Sequence, residues 1–180
     1  MNVRFNTFDY LIKINKMLNN LFIKLDQISD KKLFFILYKF KLIYGLTFLF
    51  IWLLLDDSPP NTLKSSNINF SNPSLSFFKI VIIGPIIETY FFQHIIIKFL
   101  YRKIGILALV FSTTIFGILH LRIYLLFLFS GFIYSVYYYY LCIHKQKKAF
   151  WSVCLLHIFY NFTMFSLAVL VYKLNLDSNI

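Results

Sequence analysis

Five apolar runs divide the chain, each near the roughly 20 residues that a helix needs to cross a hydrocarbon core about 30 Å thick. They are Leu33 to Leu55, Phe77 to Leu100, Ile104 to Leu121, Ile123 to Ile143 and Phe150 to Tyr172. The pattern predicts an all-α, polytopic transmembrane helix bundle of about five spans. Lys39 and Lys41 interrupt the first run, so a start nearer Leu42 fits the spacing equally well. Only Arg122 separates the third and fourth runs, which implies a tight or partly re-entrant hairpin. Ahead of the first span, Leu11, Ile14, Leu18, Leu21, Leu25 and Ile28 recur at steps of three and four, with Lys13, Lys16 and Lys24 off the stripe. This is the signature of an amphipathic helix. It is expected to lie on anionic lipid or on the bundle, with a short coiled coil as the other option. Asp56 to Ser76, rich in Asp, Ser, Asn and Pro, reads as an external loop. The chain thus divides into a basic cytoplasmic segment (1–32), a first span with its loop (33–76), a four-span core (77–172) and a short tail (173–180).

Composition strengthens this reading. Of 180 residues 59% are hydrophobic and 14% charged, well outside the mix of soluble domains. The net charge of +11 raises the question of a nucleic-acid partner, as do 23 Phe and 13 Tyr. Yet Lys and Arg sit mostly between the apolar runs, and an A/T-rich coding bias would give the same aromatics, so nucleic acid is set aside and membrane lipids are the expected partners. Six basic residues precede the first span, and the later clusters Lys98, Arg102 and Lys103, then Lys145, Lys147 and Lys148, alternate with single ones. By the positive-inside rule the N-terminus is cytoplasmic and the C-terminus external, with Tyr137 to Tyr140 in the inner aromatic belt. A bacterial plasma membrane is the expected setting. Cys142 and Cys154 lie in apolar sequence without metal or disulfide spacing and read as small core residues.

Against this background a few polar residues stand out, because ionisable groups within spans are expensive and are functional candidates by default. Glu88, the only glutamate, lies near the middle of the second run beside Gly84 and Pro85, a proline that frees a backbone carbonyl and can kink the helix. The third run ends in Phe116-Gly-Ile-Leu-His120, and the fifth holds His157 and Asn161 on one helix face. Each alone reads equally well as a buried polar group bonded to a neighbour. Together they are what membrane hydrolysis requires: a carboxylate and an imidazole to position a water and take its proton, an imidazole and an amide to stabilise an oxyanion. Spacing along ideal helices puts Glu88, His157 and Asn161 at compatible depths, while His120 falls only about 3 Å below the outer edge. His94, about 240° around the helix from Glu88, and His144, beside the basic loop, read as structural.

In order and membrane setting these residues resemble the CPBP intramembrane proteases, the group containing CAAX prenyl endopeptidases and lysostaphin resistance protein A-like proteins. That family carries E-E-x-x-x-R, F-x-x-x-H and H-x-x-x-N on successive helices. Phe116 with His120 and His157 with Asn161 match the last two, over a stretch of roughly Phe77 to Phe165. The resemblance implies an endopeptidase in which Glu88 and His120 activate water and His157 and Asn161 support the oxyanion. The scissile bond would lie near the membrane surface, in a peptide or lipidated protein substrate. The first motif departs from the family, with Thr89 for the second glutamate and Gln93 for the arginine. Four residues apart, the two could have paired as ions. Losing both charges leaves a neutral pair able to hydrogen-bond, where losing one would strand a buried charge.

Two other readings compete: a non-catalytic membrane scaffold or bacteriocin-immunity protein on the same fold, and a small transporter in which Glu88 relays protons. Glu88, His120 and His157 could also form a His/His/Glu zinc set. No H-E-x-x-H helix supports zinc, and a site without metal or other cofactor is favoured.

Overall fold

The computed structural model describes residues 7–55, 72–120 and 124–177. It is the all-α polytopic bundle that the apolar runs predict, with no strand among these residues. We number the helices α1 (Thr7–Asp26), α2 (Asp30–Leu55), α3 (Pro73–Ile104), α4 (Leu107–Ile118), α5 (Tyr124–Tyr139, continued in wider turns over Tyr140–His144) and α6 (Ala149–Asp177). Of the loop predicted over Asp56 to Ser76, residues 56–71 lie outside the described residues, as does Arg122, whereas Pro73 to Ser76 are already helical, capped by the Asn72 side chain.

Four helices are long and apolar enough to cross a membrane: α2, α3, α5 and α6. The third expected span is shorter. Gly105 turns the chain at φ +57 before α4 begins, and α4 ends at Ile118, giving 12 residues, or about 18 Å of helix. α2, by contrast, starts at Asp30 and carries Lys39 and Lys41 within it, so the start near Leu42 is not adopted. The lipid-facing character of the helices is plain from their exposed residues, among them Phe40, Phe50, Phe78, Ile87, Phe91 and Phe162. α5 is the centre, with over half of its span (56%) buried, against 11% for α2 at the periphery.

Small residues decide how closely the helices approach. A Cβ on Gly117 would stand 2.6 Å from Leu128, and one on Gly131 would stand 2.9 Å from Phe116, so α4 and α5 cross with the glycine faces in contact. Polar glue adds to this: Ser112 Oγ donates to the Phe92 carbonyl (2.7 Å) and is 2.7 Å from Ser135 Oγ, tying α4 to α3 and α5. Between α2 and α6 the Tyr38 hydroxyl reaches Thr163 Oγ1 at 2.6 Å.

α1 lies against the bundle, anchored by fully buried Phe22, whose ring meets Tyr139 and Tyr140 at 5.6 and 5.4 Å. Leu18, Leu25 and Ile28 of the predicted stripe pack beside it, while Ile14 and Leu21 stay exposed, so the docking face is rotated toward Phe22. That docking also corrects the expectation of an aromatic belt at Tyr137 to Tyr140. All four are buried, with α1 against Tyr139 and Tyr140 and α3 against Tyr138 and Tyr139, and the Tyr138 hydroxyl is hydrogen-bonded with His94 Nδ1 (2.7 Å). At this end Asp26 meets His144 (2.8 Å), and Asp30 meets Lys145 (3.2 Å) and Lys147, clamping the α1–α2 turn to the α5–α6 turn.

Candidate functional site

Glu88 sits on the least regular part of α3. The helix widens to i→i+5 turns over Phe78–Ile83 and again over Thr89–Ile97, with a short regular stretch, Gly84–Glu88, between them. Such wide turns are uncommon and gather at functional sites. The cause of the first stretch is local. Pro85 has no N–H, and the Gly84 N–H is already bonded to the Lys79 carbonyl five residues back. The Ile80 carbonyl therefore has no backbone donor at either i+4 or i+5. The donor it receives comes from another helix: Asn161 Nδ2 of α6, at 2.9 Å. Gly84 meanwhile allows a close approach of its own backbone to the preceding turn, since a Cβ there would lie 3.1 Å from the Lys79 carbonyl.

Two imidazoles converge on the carboxylate from different helices, one per oxygen. His120 Nε2 is 3.8 Å from Oε1, and His157 Nε2 is 3.6 Å from Oε2. Both gaps exceed a direct hydrogen bond and suit a bridging water. Glu88 and His120 are about a quarter exposed (26% and 23%), whereas His157 is buried at 3%, so the cluster opens on the His120 side.

His120 reaches Glu88 because α4 stops early. Past Ile118 the chain turns, and His120 Nδ1 approaches the Phe116 carbonyl at 2.7 Å. With a proton on Nδ1 to donate, the neutral ring presents a bare Nε2 toward Glu88. The ring stacks on Phe127 at 3.9 Å, nearly parallel. The shallow depth inferred from an ideal span ending at Leu121 is thus removed by the turn. Phe116 is the hub beneath the site: fully buried, its ring meets those of Phe92, His120, Tyr134 and His157 at 5.5, 4.8, 6.0 and 6.0 Å.

Of the residues singled out in the sequence, His120 and His157 are thus brought to Glu88. Asn161 bonds the Ile80 carbonyl, two turns before Glu88 on α3. Thr89 and Gln93 are both fully buried and neutral, but the hydrogen bond expected between them is not made: Thr89 Oγ1 and both ends of the Gln93 amide lack partners. His94 and His144 are engaged elsewhere, with Tyr138 and Asp26. Cys154 is buried and Cys142 partly so, both as free thiols.

One residue of the site escaped sequence reasoning. Lys41 of α2 is 1% exposed, bonded to the Tyr134 hydroxyl, with its ammonium 3.4 Å from the centre of the Tyr160 ring. Tyr134 in turn lies against the His157 ring at 4.4 Å. The rule that singled out Glu88 applied equally to Lys41, but its place near an expected span end disguised it.

The imidazoles address opposite carboxylate oxygens, and among the described residues no three His, Cys, Asp or Glu side chains are grouped to hold a metal ion.

Comparison with known proteins gives one finding. The sequence profile of the family described as Type II CAAX prenyl endopeptidase Rce1-like matches residues 70–163, just over half of the chain and the stretch that holds all four candidate residues. No curated protein and no solved structure matches.

Proposed function

The chain belongs to the type II CAAX prenyl endopeptidase Rce1-like family, a family of membrane proteases, and from that premise we propose that it hydrolyses a membrane-proximal or lipidated peptide through Glu88 and His120. The observation that carries this reading is the convergence of His120 and His157 on the two oxygens of a single membrane-embedded carboxylate. A water held between Glu88 and the bare Nε2 of His120 attacks the scissile carbonyl carbon, and its proton passes to Glu88. The carbonyl oxygen becomes the oxyanion of a tetrahedral intermediate. His157, and the amide hydrogen of Asn161 not given to Ile80, stabilise that oxyanion. As the C–N bond breaks, the proton held by Glu88 moves to the departing amine, which restores the carboxylate. No step requires a metal.

The N-terminus lies in the cytoplasm in this reading, supported by the basic residues that precede α2 and cluster between α5 and α6. The test is cleavage of a panel of lipidated peptides by detergent-purified wild type, Glu88→Gln and His120→Ala. Loss of cleavage in both variants is expected. Equal cleavage by all three would sink the assignment.

A further inference from the structure

Lysines near the ends of membrane helices usually extend to the interface and keep their charge in water. Lys41 does the opposite. Its ammonium turns into the bundle, bonded to the Tyr134 hydroxyl and lodged between two aromatic faces, 4.0 Å from the Tyr134 centroid and 3.4 Å from that of Tyr160. Space for this is built in. One turn further along α2, Gly45 gives way to the Tyr160 hydroxyl, which would stand 2.5 Å from a Cβ at that position. Aromatic faces attract a cation but do not neutralise it, and a buried charge without an opposite charge is costly. The carboxylates Asp26 and Asp30 are committed to the His144, Lys145 and Lys147 clamp. The carboxylate that Lys41 reaches through described contacts is Glu88, by way of Tyr134 and His157.

We propose that Lys41 is a positioning residue of the hydrolytic site, the fixed positive charge that stabilises the Glu88 carboxylate and the developing oxyanion. It acts at a remove. From Lys41 the line of contact runs through the Tyr134 hydroxyl, the Tyr134 ring on His157 at 4.4 Å, and His157 Nε2 facing Glu88 at 3.6 Å. A fixed charge in a dry site is worth far more to a transition state than the same charge in water. The groups against its ammonium are Tyr134 from α5 and Tyr160 from α6, with His157 of α6 on the other side of Tyr134.

This inference rests on the protease reading for its catalytic part, so its test has a readout free of activity. Glu88 is the only glutamate in the chain. Cell-free synthesis with δ-13C-glutamate therefore labels one carboxyl group, whose resonance in micelles reports the field at that atom. Lys41→Met and Lys41→Gln are compared with wild type at neutral pH. Gln keeps a donor for Tyr134 but carries no charge. A displaced Glu88 resonance in both variants is expected, with kcat for peptide cleavage lower by roughly 100-fold and KM little changed. An unmoved resonance, or a Gln variant that behaves as wild type, overturns the proposal. If wild type cuts no peptide but the resonance moves in both variants, the charge assignment stands and the protease reading falls.

Discussion

The bond from Asn161 to the Ile80 carbonyl exists because Pro85 cannot supply an N–H, and that dependence can be measured. Asn161→Ala removes the side-chain donor at 2.9 Å and leaves a carbonyl within the bundle unpaired. Such a group costs about 1–3 kcal/mol. Pro85→Ala restores a backbone N–H in register with Ile80, five residues on, as the Gly84 N–H is with Lys79. In that background Asn161→Ala should cost less, because the carbonyl has regained a donor. The expected coupling in a double-mutant cycle is about 1 kcal/mol or more. The assay is equilibrium unfolding of the four proteins in mixed detergent micelles. Equal costs for Asn161→Ala in both backgrounds would refute the account, since Asn161 would then stabilise the fold by some other route. Cleavage should respond differently. Loss of the second amide hydrogen is not repaired by Pro85→Ala, so activity stays lower by about 100-fold even where stability returns.

Three further outcomes follow from other parts of the molecule. Gly131→Ala places a methyl 2.9 Å from the fully buried Phe116 ring. It should destabilise by about 1–3 kcal/mol in thermal unfolding and lower cleavage, because His120 hangs from the Phe116 carbonyl. A strong chelator should leave peptide cleavage unchanged, and restoration of a chelated enzyme by zinc would contradict the mechanism. The hydrogen bond from His144 foremost, then that from Tyr140, holds the Asp26 carboxyl below its ordinary value of 3.8. A depressed carboxyl stabilises the fold fully above its unfolded value and loses that contribution as pH falls through the folded one. Hydrogen exchange should therefore show α1 loosening below pH 3.8 in wild type, and an Asp26→Asn variant that loosened over the same window would refute the link.

The apolar runs made the bundle legible, because lipid leaves a spanning chain no economical choice but a helix. Periodicity failed where tertiary contacts overrode it. In α1 the stripe of threes and fours pointed past Phe22, yet a single large ring filling a gap beside Tyr139 and Tyr140 outweighs several smaller contacts and rotates the helix. α4 was drawn too long because Leu119 and His120 follow without a break in hydropathy, and only the turn at its end brings His120 to Glu88. Residue types alone pointed to Glu88, His120 and His157, which the fold brings together, but not to Lys41. Nor could they give the wiring: that Asn161 serves Ile80, or that Thr89 and Gln93 go unpaired, depends on angles between helices that no single segment encodes.

The loosened stretch of α3 explains why site and scaffold are hard to separate here. Within five residues, Gly84 lets the backbone pack close to the Lys79 carbonyl, Pro85 frees a carbonyl and Glu88 bears the charge. The freed carbonyl recruits Asn161, and with it fixes α6 against α3, one turn along α6 from His157. His157 in turn meets Glu88 on one side and Tyr134 on the other, and Tyr134 holds Lys41 of α2. Four helices are thus registered to one another by a run of polar contacts that leads to the carboxylate. A bilayer offers no hydrophobic force to press helices together, so polar contacts must supply much of that registry. Placing them at the site lets one set of buried polar groups serve both ends, which is why a substitution at Pro85 or Asn161 should alter stability and chemistry together.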